Sequence, residues 1–409
     1  MDYVITGRGI YNGLGKDVAT SWQGVLDGGT TIQAVTWPED DPDRFPTTYS
    51  NLRTNVGGVS PSPEADECLD KFSRYWTHWD PNTRTGLLTV EQAVAESGID
   101  SKNVGVIFNT FGAGTEIRLG LFSAINSGKT KYSPKKCLNI GLDFPAAQIS
   151  AIYGYQGPNT SMDSACTTGL TALETAVNTL KAYPELDAMV VGSSDRMFEP
   201  IYVYWFQSLG ALSPSGVSAP FDANRDGFVM GEGACTFIVE PMDKALARGA
   251  TIYGIIKSHG SSTFFDSDTS PDPAGEGARD CMTQAVRRAG ISFNDVQYVN
   301  AHATGTPIGD TIEHDAIADL IPHATVVSNK GQIGHCMSSA GLIEVLYTLE
   351  TMRTGETPGN GNLKNPIGDG RLQLPQSATK IDVKYAVKNS FGFGGRNASV
   401  VLERYDRAD

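Results

Sequence analysis

The stretch SMDSACTTGL, Ser161 to Leu170, sets a cysteine between an extended run and a helical one. After the short segment NTSMDSA, the residues TTGLTALETAVNTL place Leu170, Leu173, Val177 and Leu180 at the spacing that gathers apolar side chains on one helix face. Cys166 therefore stands at a helix N-terminus, with Thr167 and Thr168 in the first turn. Unpaired amides and the positive end of the helix dipole favour a thiolate there, and the thiolate is the nucleophilic form. A lone cysteine is more often a buried structural residue. The reading needs support from the rest of the chain.

Outward from this point, strand-like and helix-like runs alternate. VGVIFNTF precedes the helical AAQISAIYG, and LTALETAVNTLKAY precedes the strand DAMVVGSSD. That alternation is a layered α/β plan. The order recurs after about residue 250, where TIYGIIKSHGSS, GARDCMTQAVRRAG, VQYVNAHATG, IEHDAIADLI, ATVVSN and SSAGLIEVLYTLETMRTG follow one another. Two similar halves are expected, residues 1–250 with the cysteine and 251–409 with two histidines, although no residue-level repeat and no low-complexity linker joins them. The segment from Trp37 to Asp80, rich in Pro, Asp and Trp, is expected to wrap the surface as an irregular insertion.

Composition narrows the partners. The 409 residues are 40% hydrophobic, enough for a large core, and 46 acidic against 32 basic residues give a net charge of -14. Such a surface disfavours nucleic acid, whose phosphates need a basic face. The six cysteines (Cys68, Cys137, Cys166, Cys235, Cys281, Cys336) are scattered without a CxxC pair, so neither a disulfide framework nor a metal site is expected. MDYVITGRGIYNGLG begins as a strand, and no apolar run reaches the length a bilayer needs. A cytoplasmic protein, off the membrane, is the expectation.

Two histidine segments strengthen the cysteine reading. NAHATGTPIGD places His302 just after the strand VQYVN, and SNKGQIGH places Lys330 and His335 just after TVV. Active-site residues of α/β proteins gather at the carboxyl ends of strands, so these groups can converge on Cys166. His78, His259, His314 and His323 carry no such context. In NSFGFGGRNASVVLERY, Gly392, Gly394 and Gly395 permit tight backbone paths, but a strand follows rather than a helix, which disfavours a phosphate loop. RDGFVMGEG, residues 225–233, also runs into a strand and reads as a tight structural turn.

Together these segments resemble one family, the elongating Cys-His-His β-ketoacyl-acyl-carrier-protein synthases of the thiolase superfamily. The likeness runs from VITGRGIYNGLG through DSACTTGL, PFDANRDGFVMGEGA, NAHATGTPIGD and NKGQIGH to NSFGFGG, nearly the whole chain. It implies the five-layer α-β-α-β-α thiolase fold with two duplicated halves, and a dimer across the sheet edge near residues 155–165. It also implies that Cys166 accepts an acyl chain from the 4'-phosphopantetheine arm of an acyl carrier protein, with no cofactor bound to the enzyme itself. His302 and His335 would stabilise the enolate left when malonyl thioester loses CO₂, and the amides of Cys166 and Phe393 would hold the tetrahedral oxyanion. The likeness further implies an ion pair between Lys330 and Glu313, a gating role for Phe393, and substrate contacts by Thr304, Thr306, Phe391, Phe111 and Gly394.

The chain departs from the family pattern in several places. Ala303 follows the first histidine where Gly is usual, and Gly331, Gln332 and Ile333 replace the usual residues before Gly-His. The loop between Leu212 and Phe221 is short, and Gly210 falls where an arginine often docks the carrier protein. Lys71 and Arg74 are the candidate basic patch for an acidic carrier. A non-catalytic chain-length partner would lack the cysteine, a degradative thiolase would need a second one near the C-terminal glycines, and chain-initiating synthases use Cys-His-Asn. The unusual docking residues favour a type II polyketide ketosynthase, paired with a chain-length factor, over a homodimeric fatty-acid synthase.

Overall fold

The computed structural model describes residues 2–35, 56–64, 67–196, 198–264 and 272–406. The first half contributes β1 (Tyr3–Asn12), β2 (Val104–Asn109), β3 (Asn159–Thr160), β4 (Ala188–Asp195) and β5 (Gly233–Pro241). The second contributes β6 (Gly254–Thr263), β7 (Tyr298–Asn300), β8 (Thr325–Val327), β9 (Tyr385–Gly392) and β10 (Arg396–Glu403). Their spatial order is β1-β5-β4-β2-β3 in one half and β6-β10-β9-β7-β8 in the other, which is the same permutation twice. Directions repeat as well. In each half the fifth strand runs antiparallel between the first and the fourth, and the fourth, second and third run parallel. The half-sheets join where β1 pairs antiparallel with β6, from Tyr3↔Ile256 to Ile5↔Gly254. Duplication is thus written in hydrogen-bond topology, where residue-level comparison finds none.

Helices complete the layers. α1 (Pro81–Ser97) and α2 (Phe144–Tyr153) cover the outer face of the first half-sheet, and α4 (Glu276–Ala289) and α5 (Pro307–Leu320) lie on the second. Between the half-sheets lie α3 (Thr168–Ala182) and α6 (Met337–Thr354), with α6 packed on β4 and β5 on one side and on β9 on the other. The result is the α-β-α-β-α stack. The stripe expected on α3 faces the core: Leu170, Leu173, Val177 and Leu180 are each buried. Burying one such side chain stabilises by about 1.5–3 kcal/mol. In α6 every residue from Met337 to Met352 is buried, so the helix shows no polar face.

The expectation of a surface insertion from Trp37 to Asp80 needs correction. Residues 36–55 and 65–66 lie outside the described residues. The final part is core rather than wrapping: Phe72, Trp76 and Trp79 are buried against Leu87 and Val90 of α1 and Val104 and Val106 of β2. Aromatic rings carry too much apolar area to leave in water at about 25 cal/mol per Å². Among the described residues, no helix is long and apolar enough to cross a membrane.

Candidate active site

Three chain turns bring the chemistry together. Cys166 immediately precedes the Thr167 cap of α3, and Ala165 before it adopts φ 54°, a left-handed conformation that non-glycine residues rarely take. His302 follows the end of β7, and the chain after β8 reaches His335 through the short helix Lys330–Ile333. Because β7 and β8 are parallel neighbours, both segments open on the same sheet end.

The groups converge as the spacing predicted. His335 Nε2 lies 3.0 Å from Cys166 Sγ. The sulfur and one nitrogen from each imidazole all lie within 4.8 Å of one another. The two rings meet edge to face at 5.4 Å between centroids, with Phe228 packed 5.6 Å from His335 and Phe391 5.9 Å from His302. The Nδ1 atoms of both histidines are buried without a hydrogen-bond partner among the described residues. Aromatic packing, rather than a bond to Nδ1, fixes these rings.

Backbone clamps hold the histidines in place. Glu313 accepts the His302 and Ala303 amides at 2.8 and 2.7 Å, while Asp310, one turn earlier on α5, accepts those of Thr304 and Gly305 at 3.0 and 3.1 Å. The two carboxylates share one helix face by their spacing and together hold the loop after β7. The Lys330–Glu313 ion pair expected from the family likeness is absent. Lys330 pairs instead with Glu344 of α6, because the short helix turns its side chain toward the middle layer. The segment 225–233 is likewise more than a structural turn. His335 donates its amide to the Val229 carbonyl and accepts that of Gly231, each at 2.8 Å, so this segment carries the second histidine.

Electrostatics revise the expected thiolate. Burial pushes the Cys166 thiol up to about 12, outweighing the pull of Lys330 and of a backbone hydrogen bond. The resting residue is a thiol with a proton acceptor at hydrogen-bond distance. Burial, followed by the nearby lysine charges, holds both histidines well below the usual imidazole range. They are neutral, able to take a proton or donate one N–H, and suited to meet developing negative charge.

A cavity of about 340 Å³ opens onto this cluster. Thr304, Thr306, Phe391, Phe393 and Gly394 line it together with Cys166, His302 and His335, while Phe206 and Met337 form part of its apolar wall. Phe111 does not line it. Its ring stacks on Trp205 at 5.4 Å, and its amide donates to buried Asp195 at 2.7 Å. Lys71 and Arg74 lie elsewhere: Lys71 pairs with Glu91 of α1 and sits 4.9 Å from the Tyr153 ring, and Arg74 lies 5.4 Å from the Tyr75 ring. Lys71 is thus paired with an acid, while Arg74 is exposed beside Tyr75. Sequence reasoning missed Glu344, Lys388 and Asp310; an acid three residues before Glu313 on a helix was the one available signal.

The comparisons agree with this geometry. The chain matches the family described as Beta-ketoacyl synthase, N-terminal domain, over residues 2–245, and Beta-ketoacyl synthase, C-terminal domain, over residues 253–364. It is 33% identical to the 3-oxoacyl-[acyl-carrier-protein] synthase 2 of Rhizobium meliloti (strain 1021), covering 98% of each chain. It is also 33% identical to the chloroplastic 3-oxoacyl-[acyl-carrier-protein] synthase II of Arabidopsis thaliana, covering 98% of this chain and 75% of that one. The crystal structure of a beta-ketoacyl synthase from Burkholderia phymatum STM815 superposes with a TM-score of 0.85 at 26% identity, over 99% of this chain and 100% of the other. At 24% identity, the ketosynthase of a type II polyketide acyl-carrier-protein complex shows the same fold, with a TM-score of 0.85 over 99% of both chains. A cysteine beside two neutral histidines, set in this doubled fold and matched over nearly all of its length, makes the chain a member of the β-ketoacyl synthase family, condensing enzymes of the acyltransferase class.

Proposed function

We propose that this chain is an elongating β-ketoacyl-acyl-carrier-protein synthase, with residues 1–250 supplying the nucleophile and residues 251–409 the histidines. Cys166 takes an acyl chain from the pantetheine thioester of an acyl carrier protein, its proton passing by way of His335 to the pantetheine thiol that leaves. The thioester of a malonyl-loaded carrier then loses CO₂. The enolate oxygen is held by His302 and His335, and its carbon attacks the acyl-Cys166 carbonyl, forming the new C–C bond as the Cys166 thiolate leaves. The observation that carries this reading is the 3.0 Å contact between Cys166 Sγ and His335 Nε2 at the cavity floor. Thr304 and Thr306 on the wall suit the amides of a pantetheine arm, and the apolar side at Phe206 and Met337 suits the acyl chain. Purified protein given acyl- and malonyl-loaded carrier should yield β-ketoacyl carrier, and Cys166→Ala should yield none.

A second reading concerns the pathway. Gly210 lines the cavity without a side chain and Lys71 is paired with Glu91, so these two positions offer an acidic carrier no free positive charge. This favours a type II polyketide ketosynthase working in the cytoplasm as a dimer with a chain-length factor that supplies the docking surface. Reversing Lys71 and Arg74 to Glu should raise KM for the carrier if they dock it. Indifference to the reversal, with activity rescued by a partner chain, supports the heterodimer; full activity of the isolated chain in that reversed form refutes both docking schemes.

A further inference from the structure

Beneath the histidines lies a charge cluster that the mechanism above does not use. Glu344, inside α6, receives two ammonium groups: Lys330 on Oε1, and Lys388 at 2.9 Å from Oε2. All three side chains are 0% exposed. Lys388 belongs to β9, in register with Asn300 of β7 and Val400 of β10. Its Nζ also donates to the Asn389 carbonyl and lies 3.5 Å from that of Ala301, the residue before His302. Lys330 and Glu344 alone would be a neutral pair. Adding Lys388 puts a second ammonium on one carboxylate in a dry interior, with Glu313 the other acid that faces it, a costly arrangement that holding the fold does not require.

We propose, resting on the synthase reading above, that Lys388 is a positioning residue for the decarboxylation step: it fixes Glu344 and the Ala301–His302 turn, and its charge stabilises the enolate formed against the two imidazoles. Its position suits this role. The charged and titratable groups around it are Glu344 from α6, Lys330 from the short helix, Glu313 from α5, and His302 and His335 from the loops after β7 and β8. Glu344 is shared with Lys330, and Glu313, which faces Lys388, also accepts the His302 and Ala303 amides, so two lysines and two carboxylates form one buried network around the histidines. An enolate has its negative charge on one oxygen, and a fixed cation behind its two donors lowers the cost of forming it in a low-dielectric site. Burial brings Lys388 down to about 8, so the ammonium keeps its proton at neutral pH and loses it on the alkaline side. The support therefore fades as pH rises through that value.

The test separates the half-reactions. Malonyl-carrier decarboxylation and acyl loading of Cys166 are each measured from about pH 6.5 to 9.5 for the wild type, Lys388→Met and Lys388→Gln. Wild-type decarboxylation should fall on the alkaline side while loading does not. Lys388→Met should slow decarboxylation by about tenfold or more at neutral pH and remove the alkaline limb, with loading kept within about threefold. A merely structural lysine would lower both half-reactions together and leave the profile unchanged, and that result overturns the proposal. Should neither variant fold, the wild-type profile decides, because decarboxylation with no alkaline limb refutes the role. A wild-type chain that decarboxylates no malonyl carrier sinks the synthase reading and this proposal with it. An active wild type with an indifferent Lys388→Met sinks the proposal alone.

Discussion

Replacing Gly392 by alanine puts a methyl group beside the amide that would hold the oxyanion. A Cβ built on Gly392 lies 3.2 Å from Cys166 N, 3.3 Å from Ala165 Cβ and 3.4 Å from the Ser164 carbonyl oxygen. Gly392 is not among the positive-φ residues, so alanine suits its backbone. The contacts are tight without overlap, which puts the folding cost near 1 kcal/mol. The kinetic cost is larger. An oxyanion accepting the Cys166 N–H sits about 2.9 Å from that nitrogen, in volume the methyl would contest. Loss of one oxyanion donor slows a reaction by about 10²–10³, or about 2.7–4 kcal/mol of barrier. Both steps that pass through a tetrahedral centre, acyl loading and condensation, should fall by that factor. Malonyl decarboxylation, whose enolate rests on the histidines, should stay within about threefold. Rapid-quench loading from a small acyl thioester, beside a malonyl decarboxylation assay and a thermal melt, reads all three quantities. Unchanged loading in a folded Gly392→Ala protein would remove the Cys166 amide from the oxyanion site.

Two further outcomes follow from the electrostatics and geometry. With its thiol held up at about 12, Cys166 should alkylate faster by about tenfold per pH unit from neutral pH upward, without a plateau below about pH 10. Peptide-level mass spectrometry must follow the reaction, because Cys68 and Cys137 are also partly open, and a plateau near neutrality would restore the thiolate expected from the helix terminus alone. The histidines should differ. His302→Ala should slow decarboxylation by about 10²–10³ while sparing loading, whereas His335→Ala, which removes the group 3.0 Å from Sγ, should slow both; equal effects of the two would contradict their separate roles.

The sequence made Cys166, His302 and His335 legible because each follows a periodic run and stands at an element boundary, where spacing and strand order restrict the geometry. Partners supplied across layers were not legible. Glu344 lies inside a helix buried on every side, so no amphipathic pattern singled it out, and Lys330 was matched to Glu313 by family likeness. Lys388 sits among apolar strand residues and reads as an ordinary exposed lysine until β7, β10 and α6 close around it. The bend at Ala165 is a backbone property that the residue type conceals. Phe72, Trp76 and Trp79 looked like an irregular insertion because their 3₁₀ turns are too short for a periodic signal, although their apolar area pointed inward.

The central claim is a covalent acyl intermediate on one cysteine, discharged by a decarboxylated extender. Intact-protein and peptide mass spectrometry after incubation with an acyl-loaded carrier protein tests it most directly. The account predicts a single acyl increment on the peptide containing Cys166, lost on addition of malonyl carrier as β-ketoacyl carrier appears, and absent from Cys166→Ala. An increment on another residue, or an acyl group on Cys166 that malonyl carrier does not discharge, would contradict it.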